Sequence, residues 1–326
     1  RFIISALHEE AIASSMLEGA VTTRRDAKKL LGSGRKPKTN GERMVVNNYH
    51  AILFIREHKK TPLSKEFLLE LQSILTKDTL DQREDVGRFR RGDDNVRIVD
   101  GRDNEVVYVP PPAAELEERT ERLCQFANQE PESGEFIHPM IKACVLHFQL
   151  GFDPPFCDGN GRTARALFYW SMLRQNYRLF EYLPISRLIY RSPGKYVRAY
   201  LNSETDEFDI TYFLAYKAKI IGLARREIRQ YLSEKRSQLA EARRLFAEDV
   251  RLNHRQREVV LQGTRNPDRV FTIADHGKRF AVSYGTARSD LLKLAQWEYL
   301  RVSEHGKRFD FYTAEKLRKA QAANRS

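Results

Sequence analysis

The sequence predicts a mainly α-helical protein with one β-hairpin and a small α+β domain at its C-terminal end. Through most of the first 250 or so residues, apolar side chains recur at the spacing of an amphipathic helix. Between Gly87 and Pro112 the pattern changes to an alternation of apolar and polar residues, which is typical of strands. A length of 326 residues allows two or three domains.

Charge is concentrated near the C-terminus. The net charge of the chain is +12, and residues 251–326 hold 16 Lys and Arg against 8 Asp and Glu, an excess of +8. A local excess of this kind favours an acidic partner, with nucleic acid first. A basic surface that only solubilises the domain is the alternative.

Membrane and redox features point to a cytoplasmic protein. No apolar run approaches the roughly 18 residues that a membrane span needs, and the N-terminus has no signal-peptide pattern. Because the chain starts at Arg1 rather than at a methionine, we expect that preceding residues are missing from this sequence. Three cysteines with no zinc-site spacing predict reduced thiols. They are Cys124, Cys144 and Cys157.

Helices are expected in most of the chain before residue 250. The first is predicted from about Ile3 to Leu17, with Gly19 as its stop signal. A serine or threonine precedes two of the others as an N-cap, Ser64 and Thr22 or Thr23. The remaining helices are predicted at about residues 43–58, 64–76, 113–128, 138–151 and 210–246. A short helix ends near Leu31, and the helix that follows the glycines at 159–161 continues over residues 164–175.

The alternating segment predicts a β-hairpin at residues 95–110. Its turn is expected at Asp100–Asn104, and three prolines from Pro110 to Pro112 end the second strand. A free strand edge can pair with an extended peptide.

The stretch from His147 to Arg165 predicts a polyphosphate site. Glycines around Asn160 allow backbone N–H groups to converge on an anion, and the following helix adds positive potential at its N-terminus. Arg162 and Arg165 lie three residues apart, so they share a helix face. Asp158, just ahead of the glycines, could supply an oxygen to a phosphate-bound divalent cation.

This stretch resembles the motif HPFx(D/E)GNGRxxR of the Fic family, whose enzymes transfer AMP from ATP to a protein hydroxyl. The resemblance implies a Fic-type helical core, ATP as substrate and Mg²⁺ as metal. It implies that Asp158 binds the metal and that the phosphates are bound by Gly159, Asn160, Gly161, Arg162 and Arg165. Pro155 and Phe156 complete the match.

One position departs from the family motif, because Pro154 stands where the family has its catalytic histidine. Proline has no ionisable side chain, so it cannot accept the proton of the target hydroxyl. The change can be engineered, a natural loss of activity in a nucleotide-binding pseudoenzyme, or an error in the sequence. Since the rest of the motif is intact, we favour a parent protein that is an active, autoinhibited adenylyltransferase.

Ahead of the core, SSMLEG resembles the family's inhibitory motif (S/T)xxxE(G/N). The matching residues are Ser14, Glu18 and Gly19. The resemblance implies that Glu18 pairs with Arg165 and blocks productive placement of the ATP γ-phosphate.

The resemblance assigns further roles around the core. It implies that the hairpin is the flap along which an unknown target protein binds. Tyr196 falls where the family often places an aromatic residue near the adenine, and packing in the core is the alternative. His147 is expected to be a core residue rather than a replacement base.

The last 76 residues resemble a winged helix-turn-helix, with Ser283–Leu294 as recognition helix. Winged helices also bind proteins, so the partner is DNA or a protein. The candidate DNA-binding residues are Ser283, Tyr284, Thr286, Arg288, Lys307 and Arg308.

Together these patterns divide the chain into four parts: N-terminal helices at 1–80 with an inhibitory helix at 1–19, a Fic core at 81–225 with its motif at 154–165, a linker helix at 226–250 and a winged helix at 251–326. The expected function is AMP transfer to a protein Tyr, Thr or Ser hydroxyl. We expect Glu18 to inhibit this activity and Pro154 to impair it. Removal of AMP from a modified protein, in which Glu18 would activate a water, and a nucleotide-sensing DNA-binding regulator are the alternatives. The sequence leaves open whether the chain forms a homodimer.

Overall fold

The computed structural model describes residues 2–94, 96–99, 106–129, 136–247, 249–305, 308–315 and 317. The chain divides into two compact units, Arg1–Ile228 and Arg229–Ser326. Helices dominate both, so the predicted mainly α class is confirmed. None of the helices in the described ranges combines the length and apolar character that crossing a bilayer requires.

The first unit is helical apart from one pair of short strands. In three of its helices the side chain of a threonine or serine N-cap accepts a hydrogen bond from a helix amide: Thr23, Thr39 and Ser64. The helices, in chain order, are α1 Phe2–Leu17, α2 Arg24–Ser33, α3 Asn40–Glu57, α4 Lys65–Thr76, α5 Leu116–Asn128, α6 Pro139–Phe152, α7 Asn160–Arg174, α8 Ile185–Tyr190, α9 Pro193–Thr205 and α10 Thr211–Ala247, which continues into the second unit.

Helices α6 and α7 form the centre of the first unit. Trp170 and Phe168 on α7 are fully buried and belong to a large cluster that also takes apolar residues from α3, α4, α6 and α10. Helix α7 is buried from Arg162 onwards, so packing fixes its position in the core.

Helix α1 packs against this core through buried carboxylates as well as apolar side chains. Glu10 accepts hydrogen bonds from the Ser186 amide, at 2.9 Å, and from the Ser186 hydroxyl. Glu9 forms ion pairs with Arg24 and Lys28 on α2. A buried carboxylate is costly unless its oxygens are satisfied, so these contacts fix the position of α1 over the core.

The predicted hairpin corresponds to β1 Ile98–Val99 and β2 Val106–Tyr108, which pair antiparallel. The turn predicted at Asp100–Asn104 lies in residues 100–105, outside the described residues.

The second unit combines three helices with a three-stranded antiparallel sheet. The elements are α11 His254–Arg265, β3 Val270–Thr272, α12 Ile273–Phe280, α13 Tyr284–Gln296, β4 Leu300–His305 and β5 Arg308–Thr313. The strand order is β3-β5-β4. The helix, the short helix, the next helix and the strand pair follow in the order that the sequence pattern predicted for this segment, and β3 is an additional strand. The short β3 was missed because its pairing partner, β5, lies about forty residues later in the chain.

Candidate functional site

A tight turn sets the start of α7. Gly159 is the N-cap residue and has a left-handed φ of +86°. A Cβ atom there would lie 2.8 Å from Thr76 Cγ2, so both its backbone angle and the close approach of α4 require glycine. No side chain caps this helix end. Its first amide groups are therefore available to an anion.

The loop before the turn is held by side-chain amides. Asn160 receives a hydrogen bond from the Phe156 amide at 3.0 Å and donates one to the Phe156 carbonyl at 2.8 Å. Gln72 on α4 donates to the Asp158 carbonyl at 3.2 Å. In this state the Asn160 side chain thus shapes the loop, rather than facing a ligand.

Arg162 is almost completely buried, with 1% of its surface exposed. It donates to the Leu75 carbonyl and to Asp158 Oδ2, both at 3.0 Å. The other carboxylate oxygen of Asp158 accepts from the Gly159 amide at 2.5 Å. Because the Asp158 side chain is 55% exposed, it can still be reached by a cation from solvent.

Arg165 lies one turn further along α7 and faces α1. Its guanidinium donates to Ser14 Oγ at 2.9 Å, to the Ser14 carbonyl at 3.0 Å and to Glu18 Oε1 at 2.9 Å. Burial alone would lower the pKa of Arg165, but the charge of Glu18 and the hydrogen bond to it contribute to a pKa above its ordinary value. The guanidinium is therefore a permanent cation in a poorly solvated place.

The Glu18 carboxylate lies at the N-terminus of α7. A Cβ atom on Gly161 would lie 2.4 Å from Glu18 Oε1, so only glycine allows this approach. Gly19, with φ of +81°, turns the chain away directly afterwards. An anionic group thus already lies where the helix end and Arg165 both favour negative charge.

Pro154 is buried, and its neighbourhood is organised by Arg90. The Arg90 side chain donates to the Pro154 carbonyl at 2.7 Å and to the Pro111 carbonyl at 2.5 Å, and its amide donates to the Pro155 carbonyl at 2.8 Å. Asp153 is buried beside it, 4.0 Å from Arg90 and 3.4 Å from Arg119. Burial raises the pKa of Asp153. The contacts to Pro154 use its backbone, so they do not depend on the side chain at this position.

Tyr196 is part of a buried polar cluster. Its hydroxyl lies 2.9 Å from Nε2 of His147, whose Nδ1 is 3.1 Å from Lys217 Nζ. The Tyr196 ring packs edge-on against Tyr200 and tilted against Phe213. These contacts are those of a packed core tyrosine, and stacking on adenine stays a prediction.

An acidic cluster near the motif is partly neutralised by one arginine. The ligand atoms of Asp85, Asp94 and Cys157 lie within 4.8 Å of one another. Arg88, however, forms ion pairs with both carboxylates. Burial raises the pKa of the Cys157 thiol to about 12, so it is not a thiolate ligand at neutral pH.

The candidate DNA-binding residues lie in the second unit, on α13 and the β4–β5 pair. Tyr284, with 62% of its surface exposed, Ser283 and Arg288 face solvent. The hydroxyl oxygens of Thr286 and Ser283 lie 3.0 Å apart. Lys307 lies outside the described residues, as does the Arg308 side chain.

Sequence patterns missed three residues that shape the site: Gln72, Arg90 and Lys217. All three act across long separations in the chain, and none falls within the motif. For Lys217, its position in a mostly apolar part of α10 could have indicated from the sequence that it is buried.

Comparison with known proteins agrees with this geometry. Residues 62–172 match the Fic/DOC family model. The chain carries a Fic domain. The resemblance seen in the motif is thus confirmed at the level of the family, and Pro154 lies within the matched range.

Relatives of the Fic domain include the protein adenylyltransferase Fic of Nematostella vectensis, 29% identical over 30% of this chain and 27% of the relative. The protein of the same name from Drosophila virilis is 35% identical over 28% of this chain and 16% of the relative. The matched part therefore spans about a quarter or less of these relatives.

Solved structures show the same fold over a longer range. A Fic family protein from Desulfovibrio desulfuricans G20 aligns with a TM-score of 0.62 at 19% identity, over 95% of this chain and 87% of that one. Fic-1 from C. elegans aligns with a TM-score of 0.53 at 20% identity, over 71% of this chain and 63% of that one.

Proposed function

We propose that the Fic domain binds ATP at the N-terminus of α7 and that Glu18 competes with the terminal phosphates for Arg165. The observation that carries the proposal is the Glu18 carboxylate, 2.9 Å from Arg165 and against Gly161. A carboxylate and a phosphate oxygen are both anionic acceptors, so the same donors can hold either. The relatives' name, protein adenylyltransferase, supports ATP as the nucleotide.

The metal fits the site as well. Asp158 is the exposed carboxylate beside the helix end, and it would hold Mg²⁺. When bound, Mg²⁺ would neutralise phosphate charge. Arg165 and the first amides of α7 would hold the phosphates, and the Asn160 and Gln72 contacts would keep the loop in shape.

The reaction class we propose for the parent site is transfer of AMP to a protein hydroxyl. Such a transfer needs a base for the hydroxyl proton, and Pro154 offers none. Loss of a general base typically costs roughly 10²–10⁴-fold in rate. We therefore propose that this chain binds ATP and transfers AMP poorly or not at all.

Calorimetry with ATP and Mg²⁺ tests the binding proposal. The Glu18→Gly variant should bind ATP more tightly than the unchanged chain, because the competing carboxylate is gone. Glu57→Gly is a matched control, since it removes an acid from the end of another helix, α3. Equal affinities in all three proteins, or no binding to any, would contradict the proposal.

The chemistry is tested in the Pro154→His/Glu18→Gly double variant. With α-labelled ATP it should label protein, whereas the unchanged chain should not. A double variant that binds ATP and labels nothing would refute the transfer function. Release of AMP from a modified protein by Pro154→His, lost when Glu18 is also replaced, would instead support the reverse reaction.

We propose that a target segment pairs with the hairpin by strand addition. Val106, at the start of β2, is 47% exposed, and Val109, just past the strand, is 64% exposed.

The three cysteines form no disulfide, which supports the cytoplasmic location expected from the sequence.

A DNA-binding regulator is the second candidate, supported by the exposed residues at the start of α13. The full chain should then bind duplex DNA with an affinity that falls steeply with salt. Arg288→Gln should weaken binding, while Arg265→Gln, at the end of α11, should not. Absence of binding at low salt would remove this candidate.

A further inference from the structure

The entry of the hairpin formed by β1 and β2 is bonded to the loop between α6 and α7, which carries residue 154. The chain enters the hairpin just after Arg90, whose amide donates to the Pro155 carbonyl at 2.8 Å. Further along the same entry, Asp94 Oδ2 accepts a hydrogen bond from the Cys157 thiol at 3.2 Å. Backbone and side-chain hydrogen bonds therefore both join the entry of the hairpin to this loop.

The exit of the hairpin is held through the Arg90 side chain. Nη2 of the guanidinium donates to the Pro111 carbonyl at 2.5 Å, shortly after β2 ends, and Nε donates to the Pro154 carbonyl at 2.7 Å. The side chain is buried, and a planar guanidinium holds its acceptors in a fixed geometry. Arg90 thus joins the exit of the hairpin directly to the backbone of residue 154.

The connection from Pro111 back to β2 is stiff. Residues 110–112 are prolines, whose rings lock φ, so a fixed Pro111 carbonyl also restricts the direction of the strand before it. The ring of Tyr108 in β2 packs on the ring of Phe152, at the end of α6, with 4.7 Å between the ring centroids. The hairpin and the loop around residue 154 therefore form one bonded unit, with Arg90 at its centre.

We propose that Arg90 is a positioning residue for AMP transfer, which sets the distance and direction between a target segment on the hairpin and the site at residue 154. The inference rests on the proposed function, in which a target adds a strand to the hairpin and receives AMP on a hydroxyl. Successive side chains of a strand point to opposite faces, so a hairpin fixed in place presents only particular hydroxyls of the target to the nucleotide. Arg90 acts through the hairpin and the backbone of residue 154, without touching a reactant.

The proposed phosphate site does not depend on the Arg90 side chain. The loop ahead of α7 is also held by the hydrogen bonds between Asn160 and Phe156 and by the one from Gln72 to the Asp158 carbonyl. A change of the Arg90 side chain should therefore leave ATP binding intact and affect the reactions in which the hairpin presents the acceptor. Water is an acceptor that needs no hairpin, so it provides the comparison.

The first test uses the full chain with Pro154→His and Glu18→Gly, in which a base is present and the competing carboxylate is absent. Two reactions of α-labelled ATP with Mg²⁺ are measured. In one, the hydroxyl oxygen of a peptide attacks the α-phosphorus, and in the other a water oxygen does. In both, the bond from the α-phosphorus to the bridging oxygen breaks, pyrophosphate leaves, and the proton of the acceptor passes to the introduced imidazole. The peptide probe is a degenerate mixture of extended peptides with one fixed tyrosine.

In this background, Arg90→Met should reduce peptide labelling by roughly 100-fold, the size of effect that misplacement of a reactant can have. ATP affinity and transfer to water should not change. Arg90→Lys keeps a donor and a cation beside Asp153, so it should recover part of the labelling. If Arg90→Met does not fold, the partial loss in Arg90→Lys, with unchanged transfer to water, tests the same point. Equal losses in both reactions, as a purely structural role would give, or full labelling in Arg90→Met overturns the proposal.

Arg119→Met is the matched control. Arg119 also lies beside Asp153, at 3.4 Å, and the hydrogen bonds described for its side chain go to Asp153 and Glu115 rather than to the hairpin or to residue 154. The Arg119→Met protein should label peptides as well as the background does. A loss equal to that of Arg90→Met would assign the effect to the charge of Asp153 and would refute the role of Arg90 in positioning.

The second test needs no nucleotide. Hydrogen exchange followed by mass spectrometry reports the opening of the segment that contains β2 and of α7 separately. Arg90→Met should speed exchange in β2 and leave α7 unchanged, relative to the unchanged chain and to Arg119→Met. Unchanged exchange in β2 overturns the proposal. If the Pro154→His/Glu18→Gly background labels no peptide, the proposed function fails, and hydrogen exchange still decides whether Arg90 fixes the hairpin.

Discussion

Replacing Glu18 should have two opposite effects, one on the stability of the unliganded protein and one on its affinity for ATP. The Glu18→Gly change removes the carboxylate that partners a guanidinium with 3% of its surface exposed. The two bonds from Arg165 to Ser14 remain. Loss of one charged hydrogen bond typically costs about 1.5–3 kcal/mol, and the buried cation left behind favours the upper part of that range.

Binding of ATP should restore the stability that Glu18→Gly loses. A ligand that binds only the folded state stabilises it by about 2.7 kcal/mol at a hundred times its dissociation constant. In the first unit, whose size is about 230 residues, each kcal/mol corresponds to roughly 2–4 °C in Tm. We therefore expect Glu18→Gly to melt roughly 3–12 °C below the unchanged chain, and ATP with Mg²⁺ to raise its Tm more than that of the unchanged chain.

Thermal unfolding followed by circular dichroism measures both effects, with Glu57→Gly as the control for a lost helix-end acid. A Glu18→Gly protein with an unchanged Tm would mean that the Arg165 contact contributes nothing to stability. If ATP raised the Tm of both proteins equally, Glu18 and the nucleotide would not share a site, and the reasoning would be refuted.

Three further changes test the surroundings of the site. Gly161→Ala should lower the Tm of the unchanged chain and have little effect in the Glu18→Gly background, because the added Cβ would lie 2.4 Å from Glu18 Oε1; equal losses in both would contradict the steric account. Arg90→Ala should lower the free energy of unfolding in urea by about 3 kcal/mol or more, since two carbonyls lose a donor and buried Asp153 loses a nearby cation. A decrease below about 1 kcal/mol would show that the loop around Pro154 is stable without Arg90. Burial lowers the pKa of Lys217 to about 8, below its unfolded value of about 10.5. Between these pH values the folded state binds fewer protons than the unfolded state. The destabilisation caused by burying Lys217 should therefore decrease as pH rises, by up to about 1.4 kcal/mol per pH unit. The difference in stability between Lys217→Met and the unchanged chain should therefore change between pH 7 and pH 9 in favour of the unchanged chain, and a constant difference would show that Lys217 does not titrate there.

Capping residues and a helix-stop glycine in the sequence predicted where most helices of the first unit lie. Ser64 and Thr23 lie at the N-caps of α4 and α2, and Gly19 has the positive φ of a helix stop. Helix α3 begins three residues earlier than predicted, at Asn40, because Thr39 caps it within a stretch that reads as loop. Capping depends on one side-chain oxygen, and composition over a window does not reveal it.

The candidate site was predictable where it lies within one short stretch of sequence. The turn at Gly159 and the start of α7 follow from local geometry, and the approach of Glu18 to Arg165 was expected from the family resemblance. Arg90 acts on Pro154 from 64 residues away, and Lys217 acts on His147 from 70 residues away. Such contacts arise only once the helices pack, so neither periodicity nor spacing could indicate them.

Phosphate binding and proton removal should be separable in this fold, because the proposed phosphate site and residue 154 lie in different parts of the chain. The anion site is built from the first turn of α7, Arg165 and the end of α1, and none of these depends on the side chain of residue 154. Residue 154 in turn is held by its carbonyl, which Arg90 would bond equally well in a histidine. The structure therefore accommodates loss of the base without loss of the anion site. By the same reasoning, its restoration by Pro154→His should leave the contact between Glu18 and Arg165 in place, so that a restored enzyme would remain inhibited until that contact is broken.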